Sequence, residues 1–184
     1  MKKLFLIMAM LLPLISFAED DAKKQMTKFE EFSSKTGVIV KFVDTTLPNL
    51  PVSYSTLKTG IRTIKRGTDN AYFYRLEEPE TSRSVSHIAM IEYSDLVEIN
   101  KAISRLVTDV DADVATNPDY LENKFRTSDG FEIGYYVSKQ KPQWYIKLER
   151  YTSSTVFLKN QQDVVDAFKA AQSKIEELKR SNGN

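Results

Sequence analysis

The chain has 184 residues, with 26 lysines and arginines against 25 aspartates and glutamates, one histidine and no cysteine. A charge-driven nucleic-acid binder displays a basic excess to replace phosphate counterions, so this balance argues against that class. The missing cysteines exclude disulfides, thiol nucleophiles, thiolate metal sites and a lipid-attachment cysteine, and one histidine excludes a two-histidine metal site within the chain.

Lys2 and Lys3, an almost unbroken apolar run over residues 4–15, and the small residues Ser16 and Ala18 read as a cleavable signal peptide over residues 1–18. The apolar run falls short of the roughly 20 residues a lasting anchor needs, so no stable membrane anchor is expected after cleavage. Cleavage removes two basic side chains and no acid, leaving 24 basic against 25 acidic groups. What remains is the length of one ordinary domain, exported to the periplasm or cell exterior and stabilised by packing.

Residues 19–35 form a charged lead-in in which Met26, Phe29 and Phe32 sit at helical spacing, predicting a short helix or a frayed segment. A single domain follows over 36–180, with a disordered polar tail at 181–184. Alternation predicts strands at 37–45, 52–58, 61–66, 71–77 and 87–93, broken by the Leu47-Pro48-Asn49-Leu50-Pro51 loop, by Gly60, by Gly67-Thr68-Asp69-Asn70 and by residues 79–84. The period then changes. Leu96, Ile99, Ile103, Leu106 and Val110 fall on one helical stripe, with Ser94 before the first turn, predicting a helix over 94–110. Alternation returns at 120–127, 131–138, 143–151 and 155–159, with turns at Ser128-Asp129-Gly130, 139–142 and 152–154. A last helix is capped near Asn160 and striped by Val164, Val165, Phe168, Ala171, Ile175 and Leu178.

The expected fold is therefore α+β: antiparallel sheet from two β-meanders, each followed by an α-helix, with both helices on one face. Half-repeats over 36–115 and 116–180 are suggested by the match of Tyr72-Phe73-Tyr74-Arg75-Leu76-Glu77 to Trp144-Tyr145-Ile146-Lys147-Leu148-Glu149. Two aromatic strands followed by amphipathic helices would also look alike without duplication.

Side chains on a strand alternate between faces, so Phe131, Ile133, Tyr135 and Val137, with Trp144, Ile146 and Leu148, should lie under a helix, as should Tyr72, Tyr74 and Leu76. The opposite face then carries Tyr136, Tyr145, Lys147, Glu149 and Tyr151 in the second half, and Phe73, Arg75 and Glu77 in the first. Aromatic rings among charges on a wet sheet face can stack on a sugar or anchor a protein contact, or can simply pair across strands. Phe73, Arg75, Tyr136, Tyr145, Lys147 and Tyr151 are the candidate ligand- or partner-binding residues.

Catalytic patterns are thin. His87 lies near Ser84, Ser86 and Asp95, but no strained Gly-x-Ser-x-Gly elbow is present. Asp109, Asp111 and Asp113 alternate like the start of a calcium loop, yet Val114 stands where glycine is needed and Tyr120 where the closing glutamate belongs. Lys58, Arg62, Lys65 and Arg66 make the first meander locally basic, a pattern that usually serves solubility. No Gly-rich phosphate loop follows a strand, and no cofactor or metal is implied.

The runs Ile91-Glu92-Tyr93-Ser94-Asp95, Asp119-Tyr120-Leu121-Glu122-Asn123, Asp129-Gly130-Phe131, Gly134-Tyr135-Tyr136 and Trp144-Tyr145-Ile146 resemble a group of small exported proteins of Bacteroidetes-type bacteria, over most of residues 28–180. The resemblance implies a shared fold and export; that family has no assigned activity, and no catalytic residue is carried over. The expected function is a non-catalytic secreted or periplasmic binding domain whose partner is a protein or a glycan. A carboxylate-dependent hydrolase of a glycan or peptidoglycan fragment, and an inhibitor or partner of another secreted protein, are the alternatives.

Overall fold

The computed structural model of the chain describes residues 26–79, 86–150 and 154–183. The signal peptide, the first part of the lead-in (residues 19–25), Ser84 and Tyr151 lie outside the described residues. The lead-in ends in α1 (Lys28–Ser33), started by a capping box in which Thr27 and Glu30 exchange side-chain to main-chain hydrogen bonds. Four strands follow, β1 (Val40–Pro51), β2 (Thr56–Arg66), β3 (Asp69–Glu78) and β4 (His87–Glu92), then α2 (Tyr93–Ala115). The second half repeats this order with β5 (Leu121–Arg126), β6 (Glu132–Ser138), β7 (Lys141–Lys147), the short β8 (Val156–Phe157) and α3 (Gln161–Ser181).

Each half is a four-stranded antiparallel meander, ordered β1-β2-β3-β4 and β5-β6-β7-β8, so the fold is the α+β arrangement expected. The sheets meet where Val52 bridges Leu158 and Ser53 N–H donates to the Phe157 carbonyl. The stripe Leu96, Ile99, Ile103, Leu106 and Val110 of α2, and Val164, Phe168, Ala171 and Ile175 of α3, share one core with the inner rows of both sheets. Phe168 stands at its centre, edge-on to Tyr74 of the first sheet at 5.2 Å and 5.9 Å from Phe131 beside the second. The two helices are also tied directly, since the Asn100 side chain donates to the Phe168 carbonyl and to Gln172. Burying each of these large side chains contributes about 1.5–3 kcal/mol, which is what holds the cysteine-free fold.

Several boundaries differ from the sequence expectation, each for a local reason. The segment with Pro48 and Pro51 is not a loop; it continues β1 through an irregularity between Leu47 and Leu50. β1 is an edge strand, where a proline costs no ladder hydrogen bond, and the extension buries Leu50. Gly60 does not break β2: it lies opposite Thr46, where a Cβ would come within 2.9 Å of the Thr45 carbonyl oxygen, so glycine allows close strand approach. Pro142 belongs to β7, and the turn narrows to Lys139 and Gln140, both with positive φ, as a two-residue hairpin requires. Glu92, rather than Ser94, caps α2 by accepting from the Ser94 N–H.

α2 also runs past Val110 through the three aspartates. Acids at a helix C-terminus are unfavourable, but Arg105 holds Asp109 at 2.7 Å and the Tyr135 hydroxyl donates to Asp113 at 2.6 Å. Burial and the adjacent Asp113 push Tyr135 up to about 12. The calcium-like alternation is thus helix, with two of its three acids committed to structural contacts.

Candidate binding surfaces

The outer face of the second sheet holds Glu122, Lys124 and Arg126 of β5, Glu132, Gly134 and Tyr136 of β6, Tyr145 and Lys147 of β7, and Phe157 of β8. Strand pairing places Gly134 between Lys124 and Tyr145. With no side chain at Gly134, the Tyr145 ring has room to fold down against the sheet, and it is only 2 % exposed. Its hydroxyl donates to Glu122, and this bond, helped by Lys124 and Lys147, holds the Glu122 carboxyl below the usual glutamate range. Burial and the same carboxylate push the Tyr145 phenol far up.

Tyr136 is half-buried and central, 6.5 Å from both Tyr145 and Phe157 and stacked on Tyr120 at 6.2 Å with 24° between the rings. Tyr120 is 64 % exposed, so it forms the open end of this aromatic row. It was not among the expected site residues, although its place two residues before Glu122 puts it on the outward set. Beside the row lies the buried Glu132, with Lys124 and Arg126 each at 3.4 Å and Lys147 at 3.9 Å. Three cations around one desolvated carboxylate make it a fixed counter-charge that orients their ammonium and guanidinium groups.

The first sheet does not present an equivalent surface. Phe73, expected to be exposed, is 1 % exposed because α1 lies across this face and sets Phe29 edge-on to it at 5.5 Å. Arg75 is engaged by Glu77, and Arg62 forms a two-pronged pair with Asp44 at 2.7 and 2.6 Å. Arg66 sits 4.2 Å over the Phe32 ring and pairs with Asp69, while Lys65 donates to Asn182. The basic run of the first meander is therefore largely taken up in holding neighbouring segments. Of the expected binding residues, Tyr136, Tyr145 and Lys147 come together, Phe73 and Arg75 stand apart on the other sheet, and Phe73 and Tyr145 are buried rather than exposed.

A concavity of about 660 Å³ runs along the edge of β4 that pairs with no further strand among the described residues. One wall is five consecutive residues of that strand, from His87 to Ile91, and the other is Thr127, Asp129 and Phe131 with Leu148, Glu149 and Arg150. α1 closes one end with Thr27, Phe29 and Glu30. Lys28 fastens it there, its main-chain N–H donating to Asp129 at 3.0 Å and its ammonium to Asp95 at 2.6 Å. At the other end Glu149 accepts from the Ile88 N–H at 3.0 Å and stands 3.4 Å from the His87 ring.

Among the described residues, Ser86 and Asp95 form no hydrolytic arrangement with His87 at this concavity. The Ser86 hydroxyl donates to the Glu78 carbonyl, and Asp95 is bound by Lys28, so neither serves His87. Asp95 and Asp129, which line one end, are both engaged by Lys28, Asp95 by its ammonium and Asp129 by its main-chain N–H. Among the described residues no group of three or more His, Asp or Glu side chains converges as a metal site, and no helix is long and apolar enough to cross a membrane. No family model, curated protein or solved structure matches this chain.

Proposed function

We propose that the chain is an exported, non-catalytic binding protein that takes a glycan on the outer face of its second sheet. The observation that carries this reading is the Tyr120–Tyr136 stack, open to solvent and flanked by Glu122, Lys124 and Lys147. A sugar ring offers C–H groups to an aromatic face and hydroxyls to charged neighbours, and this shallow surface supplies both. Tyr145, buried beneath the row, acts as its floor. Export rests on the character of residues 1–18 and agrees with the resemblance to small exported proteins.

Saturation-transfer NMR with soluble peptidoglycan fragments and a panel of neutral and acidic oligosaccharides tests the proposal. Transfer from protein to sugar ring protons is expected, falling at least tenfold in affinity in Tyr120→Ala and Tyr136→Ala while the melting temperature moves by only a few degrees. Absence of transfer with every sugar, together with a stoichiometric protein co-purifying from the native envelope, would replace the glycan by a protein partner. Chain cleavage of any oligosaccharide would replace binding by hydrolysis.

A further inference from the structure

The concavity beside β4 shares none of its lining residues with the aromatic row. We propose that it is a second site, in which an extended basic peptide segment of a partner protein adds to β4 as a fifth strand of the first sheet.

The argument starts from the main chain. In an antiparallel pair alternate residues turn their N–H and C=O groups toward the neighbouring strand and away from it. The Ile88 N–H goes to Glu149 rather than to β3, so Ile88 and, two residues on, Met90 present their main-chain groups to the open side. That side is the wall of the groove, and it is the free edge of its sheet. An extended peptide satisfies such a row by strand addition, with main-chain hydrogen bonds giving affinity and side-chain pockets giving selectivity. Glu149 already stands where the carbonyl of an added strand would accept, and at 44 % side-chain exposure it has room to swing aside.

The opposite wall states the chemistry of the occupant. Phe131 and Leu148, only 3 % and 4 % exposed, form its apolar floor, and the apolar surface open to a side chain of the peptide is that of Ile88, 38 % exposed, on the β4 wall. The charged lining is acidic in balance, with Glu30, Asp95, Asp129 and Glu149 against Arg62 and Arg150. Arg62 is committed to Asp44, and Arg150 donates to the Ser128 carbonyl. The acidic end already holds a lysine of the chain itself, Lys28, by both its ammonium and its main-chain N–H. A segment alternating β-branched residues with lysine or arginine fits this combination of apolar wall, acidic lining and open strand edge.

The probe is a bead-bound library of random hexapeptides, screened with the full chain, with the most enriched sequence then made as a soluble fluorescent peptide. Enrichment of lysine- and arginine-bearing peptides with β-branched residues is expected; no enrichment of any sequence overturns the proposal. The same peptide N-methylated on alternate residues keeps its side chains and charge but loses its strand donors, and its affinity in fluorescence anisotropy should fall at least tenfold. Equal binding of the two peptides overturns strand addition. Hydrogen exchange at the Met90 amide should slow at least tenfold when peptide is bound, and unchanged exchange also overturns it. Met90→Pro removes an outward N–H without touching the β3 ladder and should abolish binding, with Met90→Ala within about twofold of the wild type; should Met90→Pro fail to fold, the N-methylated peptide still decides. Peptide binding that survives Tyr120→Ala separates this site from the glycan face. A dimer that forms through β4 and excludes the peptide would overturn the proposal in favour of self-association.

Discussion

Tyr145 and Glu122 offer the sharpest check on how the outer face of the second sheet is built. Replacing Tyr145 with Phe keeps the ring over Gly134 and removes only the hydroxyl that donates to Glu122. A hydrogen bond to a charged acceptor contributes about 1.5–3 kcal/mol, but the Glu122 side chain is 30 % exposed and keeps Lys124 at 3.5 Å, so water and lysine recover part of the loss. The expected net cost is about 1–1.5 kcal/mol, or about 2–6 °C in melting temperature for a domain of this size. Glu122→Gln should cost a similar amount, and the double variant little more than either alone, giving a coupling of about 1 kcal/mol in urea denaturation. The pH dependence has a definite sign. Glu122 has a folded pKa below its unfolded one, so its contribution is complete above the ordinary glutamate range and is lost as pH falls through the depressed value. The gap in melting temperature between wild type and Tyr145→Phe should therefore close on acidification. Additive single variants, or a gap that persists in acid, would refute the bond and with it the buried placement of Tyr145.

Tyr74 is fully buried in the core, and the Thr59 hydroxyl beside its own donates to the Pro48 carbonyl, so the Tyr74 hydroxyl is at best weakly bonded and Tyr74→Phe should change thermal stability by less than about 1 kcal/mol. Phe29→Ala should cost about 1–2 kcal/mol and expose Phe73, detectable as increased binding of a hydrophobic dye, because α1 is what covers that ring. Tyr135 is neutral in the fold up to about pH 12, whereas an unfolded tyrosine ionises near pH 10. Its contribution is present below about pH 10 and is lost as pH rises through about 12, so Tyr135→Phe should flatten the alkaline fall in stability seen in a pH series of denaturant melts. Gly134→Ala should destabilise by more than about 2 kcal/mol in the same melts, since its Cβ would come within 2.3 Å of the Asn123 carbonyl oxygen.

The layers of this fold are written in its periodicities. Alternation through Ile133, Tyr135 and Val137 and through Trp144, Ile146 and Leu148 separates core from outer face, and the stripe from Leu96 to Val110 marks the helix that covers them. What alternation does not carry is the depth of a residue on the outward side. Tyr145 is outward by parity, yet it is buried because the residue across the ladder is glycine, a fact of register rather than of either strand alone. Phe73 is outward too, but it is covered by a helix more than forty residues earlier in the chain, held there by Lys28 on Asp95 and Asp129 and by Arg66 on the Phe32 ring and carbonyl. Tyr120 gave a usable signal, being two positions from Glu122 on the same side. The prolines of β1 misled because a central strand forbids them while an edge strand does not, and edge position is a property of the assembled sheet.

The central claim is that the open stack of Tyr120 on Tyr136 is a ligand surface rather than ordinary cross-strand packing. The direct measurement is the affinity of the Tyr120→Ala chain for the oligosaccharide that binds the wild type best, taken together with its melting temperature. The account predicts at least a tenfold loss of affinity with stability preserved to within about 1 kcal/mol, because Tyr120 is mostly in solvent. Full affinity in that variant, or a collapse in its stability, would contradict it.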